Sequence, residues 1–169
     1  WIYKVLYSFC SKSNCSDGAV PALGRLAYQD ALYGAPYDGK SPLYGVTDSG
    51  GAHGGGVLFS LTPNKSGWTE KVVHAFCAKA SCADGGAPFG TPLVDDSGNV
   101  FGTVPMGGAN GRGAVYETQR NGDKWKFVLL HSFCSDQSSC IDGATPVGGL
   151  FQDDAGDLYG ATEFGGSNP

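Results

Sequence analysis

Charge is scarce in this chain. Eleven Lys and Arg with sixteen Asp and Glu make up only 16% of 169 residues, where about 25% is usual for a globular domain. The net charge of −5 leaves no basic face of the kind that nucleic acid requires. Long apolar runs are also missing: no window approaches 18 apolar residues, so no segment reads as a membrane span. No stretch of ten or more residues combines a 3.6-residue apolar period with freedom from glycine and proline, which argues against long helices.

Glycine and cysteine are present instead. Glycine fills 28 positions against a background of about 7%. It alternates with aromatic and β-branched runs and shows no collagen-like period. This spacing suits short strands joined by tight turns. The six cysteines form three close pairs: Cys10 with Cys15, Cys77 with Cys82, and Cys134 with Cys140. Zinc knuckles bring four ligands together from C-x₂₋₄-C motifs, but here the pairs lie far apart in the chain, one per repeat. They read as local disulfides, and so as an oxidising, secreted or cell-surface setting. The chain opens at Trp1, already inside a strand-like run and without an initiator methionine, which reads as a processed or cut form of something longer.

Two nearly complete copies of one unit overlay, Leu43–Asn99 and Val100–Asp157, and a third begins at Leu158. Residues 1–26 match the region from Trp125 onward, so the counterpart of the third copy's later part stands at the N-terminus. The whole chain, 1–169, thus reads as one repeat domain with units at about 1–42 (partial), 43–99, 100–157 and 158–169 (partial). An insertion of about ten residues around Ala27–Pro42 doubles the Leu-Tyr-Gly motif.

Each copy predicts four strands. The first is Thr91–Asp96 or Gly149–Asp154, the second Val100–Val104 or Leu158–Thr162. The third is Val57–Thr62 or Ala114–Gln119, the fourth Thr69–Phe76 or Trp125–Phe133. Ile2–Phe9 is a further fourth strand, and one third strand is absent from the chain. Asp-Asp-x-Gly-[Asn/Asp] between apolar runs is a hairpin signal, because glycine supplies positive φ and Asp or Asn caps the turn. Four strands per unit predict an all-β fold of propeller-like blades, about three of them with one strand missing. A trefoil-like threefold fold is the alternative. Three blades are too few to close a ring, and a missing strand leaves edges open.

The pieces Asp95–Thr103, Gly107-Gly108, Gly113–Tyr116, Leu130–Phe133 and Asp142–Pro146 resemble the GloVer-type tandem repeat of bacterial surface proteins. The resemblance covers nearly all of the chain outside Ala27–Pro42. It implies a secreted or surface-anchored protein and brings no catalytic residues with it. Only about three units are found here, and no anchor is among them.

No residues read as catalytic, cofactor-binding or metal-binding. Thr47–Gly51 resembles the Asp-Ser-Gly-Gly of trypsin-like proteases, and His74 lies in a faintly similar segment. Yet Ser49 aligns with Met106 and Phe164, and His74 with His131 and Tyr7, so no triad is defined. The shared position of His74, His131 and Tyr7 reads as a half-buried amphipathic ring. Asp17, Asp84, Asp142, Asp95, Asp96, Asp153 and Asp154 lack the alternating spacing of a calcium loop and read as turn caps. The Gly50–Gly56 and Gly107–Gly113 loops lack the lysine and helix of a phosphate loop. At their tips His53, Asn110 and Arg112 are candidate ligand contacts. Trp68 and Trp125, with Tyr37, are candidate stacking surfaces for sugars.

These residues predict a non-enzymatic extracellular repeat module for binding, adhesion or surface assembly, self-assembling by strand or blade complementation. Its partners would be other copies or a larger parent chain, with glycan as a further candidate. The alternative is a carbohydrate-binding or carbohydrate-active propeller, which would need two of the carboxylates Glu70, Glu117 and Glu163 in one cleft.

Overall fold

The computed structural model describes residues 4–22, 24–29, 31 and 34–167. Ten strands account for its regular structure: β1 (Ala19–Pro21), β2 (Leu43–Ser49), β3 (Val57–Asn64), β4 (Gly67–Ala75), β5 (Leu93–Val94), β6 (Val100–Val104), β7 (Ala114–Asn121), β8 (Lys124–Ser132), β9 (Phe151–Gln152) and β10 (Leu158–Tyr159). There is no α-helix among the described residues. Two antiparallel four-stranded sheets, β1-β2-β3-β4 and β5-β6-β7-β8, are followed by the pair β9-β10. We refer to them as units 1, 2 and 3. Neither four-stranded sheet closes on itself.

The second, third and fourth strands form where alternating apolar residues predict them, except that the second strand expected over Leu158–Thr162 is only the two residues of β10. The first strands are shorter than expected, two residues each in β5 and β9. In unit 1 that place is held by Ala27, whose backbone bonds Tyr44 in both directions at 2.8 and 2.7 Å. β1, which sequence reading did not anticipate, pairs Ala19 with Ser49 at the end of β2. Its counterparts in the other units are single bridges, Gly86 to Met106 and Ala144 to Phe164. Val20, Ala87 and Thr145, at one position of the three units, all hold positive φ, at 53°, 52° and 56°. That conformation is rare for such residues, and its threefold recurrence shows how closely the backbone repeats.

The predicted strand Ile2–Phe9 is not found as one. Ile2 lies outside the described residues, as does Tyr3, and Lys4–Phe9 is paired with no described strand. Its ladder partner would be a third strand, and no described strand stands at that place.

A β-bulge sits at the same point of both long hairpins, between Leu58 and Phe59 against β4 and between Val115 and Tyr116 against β8. The extra residue, Val73 or Leu130, reverses which face the strand's alternate residues occupy. Before it, Trp68 and Val72 pack with Leu43, Val57, Phe59 and Leu61. After it, Phe76 turns into the other cluster, which joins Tyr44, Val46 and Leu58 of unit 1 to Val94, Val100, Val104 and Tyr116 of unit 2. The core therefore lies between units. Phe76 meets Tyr116 edge-on at 5.2 Å, and His74 stacks on Phe127 at 3.8 Å. Burial pushes the Tyr116 hydroxyl pKa well up.

Candidate functional site

The most elaborate polar construction is the junction where one unit hands over to the next, and it is built three times. Cys10–Cys15, Cys77–Cys82 and Cys134–Cys140 are disulfides, as the spacing predicted. Both cysteines of every loop take left-handed backbone, with φ from 49° to 67°. The first cysteine's N–H donates to the glycine of the Asp-Gly turn: Cys10 to Gly18 O, Cys77 to Gly85 O, Cys134 to Gly143 O. The second cysteine's carbonyl accepts from the next glycine pair: from Gly51 N at 2.9 Å, Gly108 N at 3.1 Å and Gly166 N at 2.9 Å.

The aspartate of each Asp-Gly turn lies inside this loop. Asp17 accepts from Ser11 N at 3.0 Å, Ser11 Oγ at 2.8 Å, Lys12 N at 3.3 Å and the Tyr7 hydroxyl at 2.8 Å. Asp84 accepts from Ala78 N at 3.1 Å and Lys79 N at 3.0 Å, and faces His74 Nε2 at 3.4 Å. Asp142 accepts from Ser135 N at 3.3 Å and faces His131 Nε2 at 3.4 Å. Tyr7, His74 and His131 thus share a position because each faces the next aspartate, a pairing that sequence reading missed. The signal for it was the common spacing: an aromatic or His three residues before the loop's first cysteine, and Asp two residues after its last.

Chemically this is a clamp. No described Ser or Thr hydroxyl bonds either histidine, and no cysteine is free. Ser49 Oγ donates to the Ala19 carbonyl at 3.4 Å. Cys134, Asp136 and Cys140 lie close together, but the sulfurs are bonded to each other and Asp136 accepts from the amides of Ser139 and Cys140. They offer no ligand set. Among the other aspartates, Asp95 accepts from both nitrogens of Asn99, and Asp153 from Ala155 N, Asp157 N and the Tyr159 hydroxyl, as turn caps do.

The clamp makes stability depend on pH. Burial opposes ionisation of Asp17, but hydrogen bonds from Tyr7 and from the Ser11 side chain and amide outweigh it and bring its pKa down to about 2. Burial lowers the His74 pKa, with Asp84 opposing. Both groups have folded values below their unfolded ones, so both stabilise at neutral pH and that stability is lost on acidification. For His74 the loss begins below its ordinary value near 6.5. For Asp17 it runs from about pH 4 to about 2 and amounts to about 2 kcal/mol. Urea midpoints measured against pH are expected to fall in these two steps, and His74→Gln is expected to remove the upper one alone.

The predicted contact residues are not gathered. His53 is exposed at its loop tip. Asn110 Nδ2 donates to the carbonyls of Ser132 at 3.2 Å and Phe133 at 2.9 Å, tying its loop to β8. The Arg112 carbonyl accepts from Thr145 N at 2.8 Å. Trp68 packs on the β3 cluster, and Trp125 lies edge-on to Tyr44 at 6.0 Å, with the Arg120 guanidinium 5.9 Å from its ring. Tyr37 packs on Tyr28 at 5.3 Å, its hydroxyl donating to Ser41 O. Two of the three carboxylates are separately engaged, and Glu163 is exposed, fixed only through its backbone. Glu70 Oε2 accepts from Lys12 Nζ at 2.6 Å, Glu117 Oε2 accepts from Gln119, and the Glu163 amide donates to Thr145 O.

Antiparallel sheets joined by one recurring disulfide-pinned junction define a tandem β-repeat protein. The chain belongs to the Gloeobacter/Verrucomicrobia repeat family, whose model matches residues 37–169. No curated protein and no solved structure matches it.

Proposed function

We propose that this chain is a non-catalytic module of the cell exterior that binds other polypeptides, further copies included, through open β surfaces. Its sheets would pack as blades of a propeller-type ring that these units alone do not complete. Three disulfides fit an oxidising compartment, and no helix among the described residues is long and apolar enough to cross a membrane.

One observation carries the reading. Phe151 of β9 and Tyr159 of β10 are 57% and 54% exposed, whereas their counterparts in unit 2, Leu93 and Phe101, are 5% and 7% exposed. Phe164, nearby, is 60% exposed. Apolar side chains that are core in one unit and bare in the next mark a surface that a further β unit, of the same polypeptide or of another, would cover, and the outer edge of β10 pairs with no described strand. A glycan-binding reading gains no support from Trp68 and Trp125, which are packed against other residues.

Light scattering over a concentration series tests this. Dimers or larger assemblies are expected, and the double substitution Phe151→Ser, Tyr159→Ser is expected to return them to the mass of one chain. A single-chain mass at every concentration would remove self-assembly from the reading.

A further inference from the structure

All three units contribute to one cavity. Pro21, Pro88 and Pro146 stand at one position of the repeat, and counting on from them makes Gly24, Thr91 and Gly149 equivalent, then Arg25, Pro92 and Leu150. The first trio is in close approach. A methyl group on Gly24 would stand 2.9 Å from the Thr91 hydroxyl, and one on Gly149 3.1 Å from the Thr91 carbonyl. The second trio lines an open cavity of ≈ 610 Å³. Ala27 and Leu93–Val94, at the first-strand places of units 1 and 2, line it too and are themselves buried. Its described walls all fall between Arg25 and Leu150.

The facing wall comes from the one segment that the repeat does not contain. The insertion contributes Tyr28, Ala31, Gly34 and Ala35. Its own hydrogen bonds shape it: the Tyr28 hydroxyl donates to Ala35 O at 2.7 Å, Ala31 N to Tyr28 O and Gly34 N to Ala31 O, both at 3.1 Å. Two further bonds fasten it to unit 2 before and after the lining residues Pro92–Val94. Arg25 N donates to Thr91 Oγ1 at 3.1 Å, and Gln29 Nε2 to Asp96 O at 2.8 Å. A wall held in this way is formed before any ligand arrives, and its alanines and glycine leave the space open. Concave, mostly apolar and pre-formed is the description of a small-molecule site.

The lining selects the ligand. Arg25 carries the one charge among the described lining residues. The Tyr28 hydroxyl is already engaged, and the Thr91 hydroxyl already accepts the Arg25 amide. A sugar brought here would lose water from many hydroxyls and find few partners, which is costly. An apolar body ending in one anion matches the aliphatic walls and the guanidinium. Thr91–Val94 gives that body about 10 Å of extended wall to lie along.

We propose that this cavity binds an elongated apolar carboxylate of the fatty-acid kind. Its acid group pairs with the Arg25 guanidinium, and its body lies over Ala27, Leu93, Val94 and Leu150. The site is distinct from the β surfaces proposed above for binding polypeptides and does not depend on them.

The test titrates the chain with 11-(dansylamino)undecanoic acid. Enhanced, blue-shifted emission is expected with 1:1 stoichiometry and a Kd on the order of 10 μM. In two-dimensional NMR spectra the amides of Leu26–Tyr28, Thr91, Leu93 and Val94 are expected to shift. Arg25→Gln is expected to weaken binding about fivefold, and to leave unchanged the weaker binding of the uncharged primary amide of the same probe. Ala35→Phe and Leu150→Trp fill the cavity from opposite walls, and each is expected to weaken binding more than tenfold. No binding, undiminished binding by both filled variants, or shifts confined to the exposed Phe151, Tyr159 and Phe164 overturns the site. Equal affinity for acid and amide overturns the choice of a carboxylate. Either result leaves the light-scattering test of self-assembly untouched.

Discussion

Asp84→Ala is expected to lower the melting temperature by about 10 °C, and Asp142→Ala by less than half of that. The two residues stand at one position of the repeat and differ in what they hold. Asp84 is 1% exposed. Its carboxylate takes two backbone amides at 3.0 and 3.1 Å and faces a largely buried histidine. Truncation leaves those donors unpaired and removes the negative charge beside His74. Hydrogen bonds to an ionised group contribute about 1.5–3 kcal/mol each, and partial rehydration of the two exposed loop residues brings the expected loss to about 3 kcal/mol. For a chain of this length each kcal/mol shifts the midpoint by about 2–4 °C. Asp142 accepts one amide at 3.3 Å, and its side chain is 24% exposed, so water replaces most of what it loses. Asp17, buried with four donors, should match Asp84. Thermal unfolding followed by near-ultraviolet circular dichroism measures the series. Equal losses at all three positions would mean that the aspartates act as turn formers alone, without the clamp.

Much of the repeat was legible in the sequence, because the second, third and fourth strands are long enough for a period of two to show. Val100–Val104 formed over its expected span, and β3, β4, β7 and β8 fell within two residues of theirs. The short strands were not legible. A first strand ends where its aspartate turns back to cap the hairpin, as Asp95 does toward Asn99. β10 stops after two residues and pairs with β9 alone among the described strands. The bulges were hidden for a different reason. Val72 and Val73 are adjacent apolar residues that break the alternation without saying which of them is the extra one, and the bulge sends His74 and Phe76 into the next unit. Trp68 and Trp125 looked like exposed platforms because they flank turns, and only the neighbouring element covers them. The insertion around Ala27–Pro42 read as a doubled motif. Folded, its described tyrosines form an apolar cover, with the hydroxyls of Tyr28 and Tyr37 donating to the segment's own carbonyls at Ala35 and Ser41.

Gly107→Ala is expected to be the most damaging single-methyl change in unit 2, and Gly111→Ala, four residues away in the same loop, to be mild. Both glycines hold left-handed backbone, φ 71° and 73°, so both lose about 1–2 kcal/mol to the conformation alone. They differ in what a methyl group meets. At Gly111 nothing lies within 4 Å. At Gly107 it would overlap the Cys82 carbonyl and stand 3.0 Å from the Gly85 Cα, both backbone and both fixed by the disulfide loop. Relief requires the loop to withdraw, which breaks the Gly108 N to Cys82 O bond that seats unit 2 on the preceding junction. The combined loss is expected to reach about 4 kcal/mol, or more than 10 °C. Its form matters as much as its size. In a repeat protein each unit is stabilised by its own folding and by contact with its neighbours. Weakening one junction should therefore split the unfolding transition as well as lower it. A broadened or two-step melt for Gly107→Ala, beside a single sharp one for Gly111→Ala, would show that the junctions couple the units. A single sharp transition in both would place the coupling in the aromatic cluster between the sheets, where Phe76, Tyr116 and Phe127 meet.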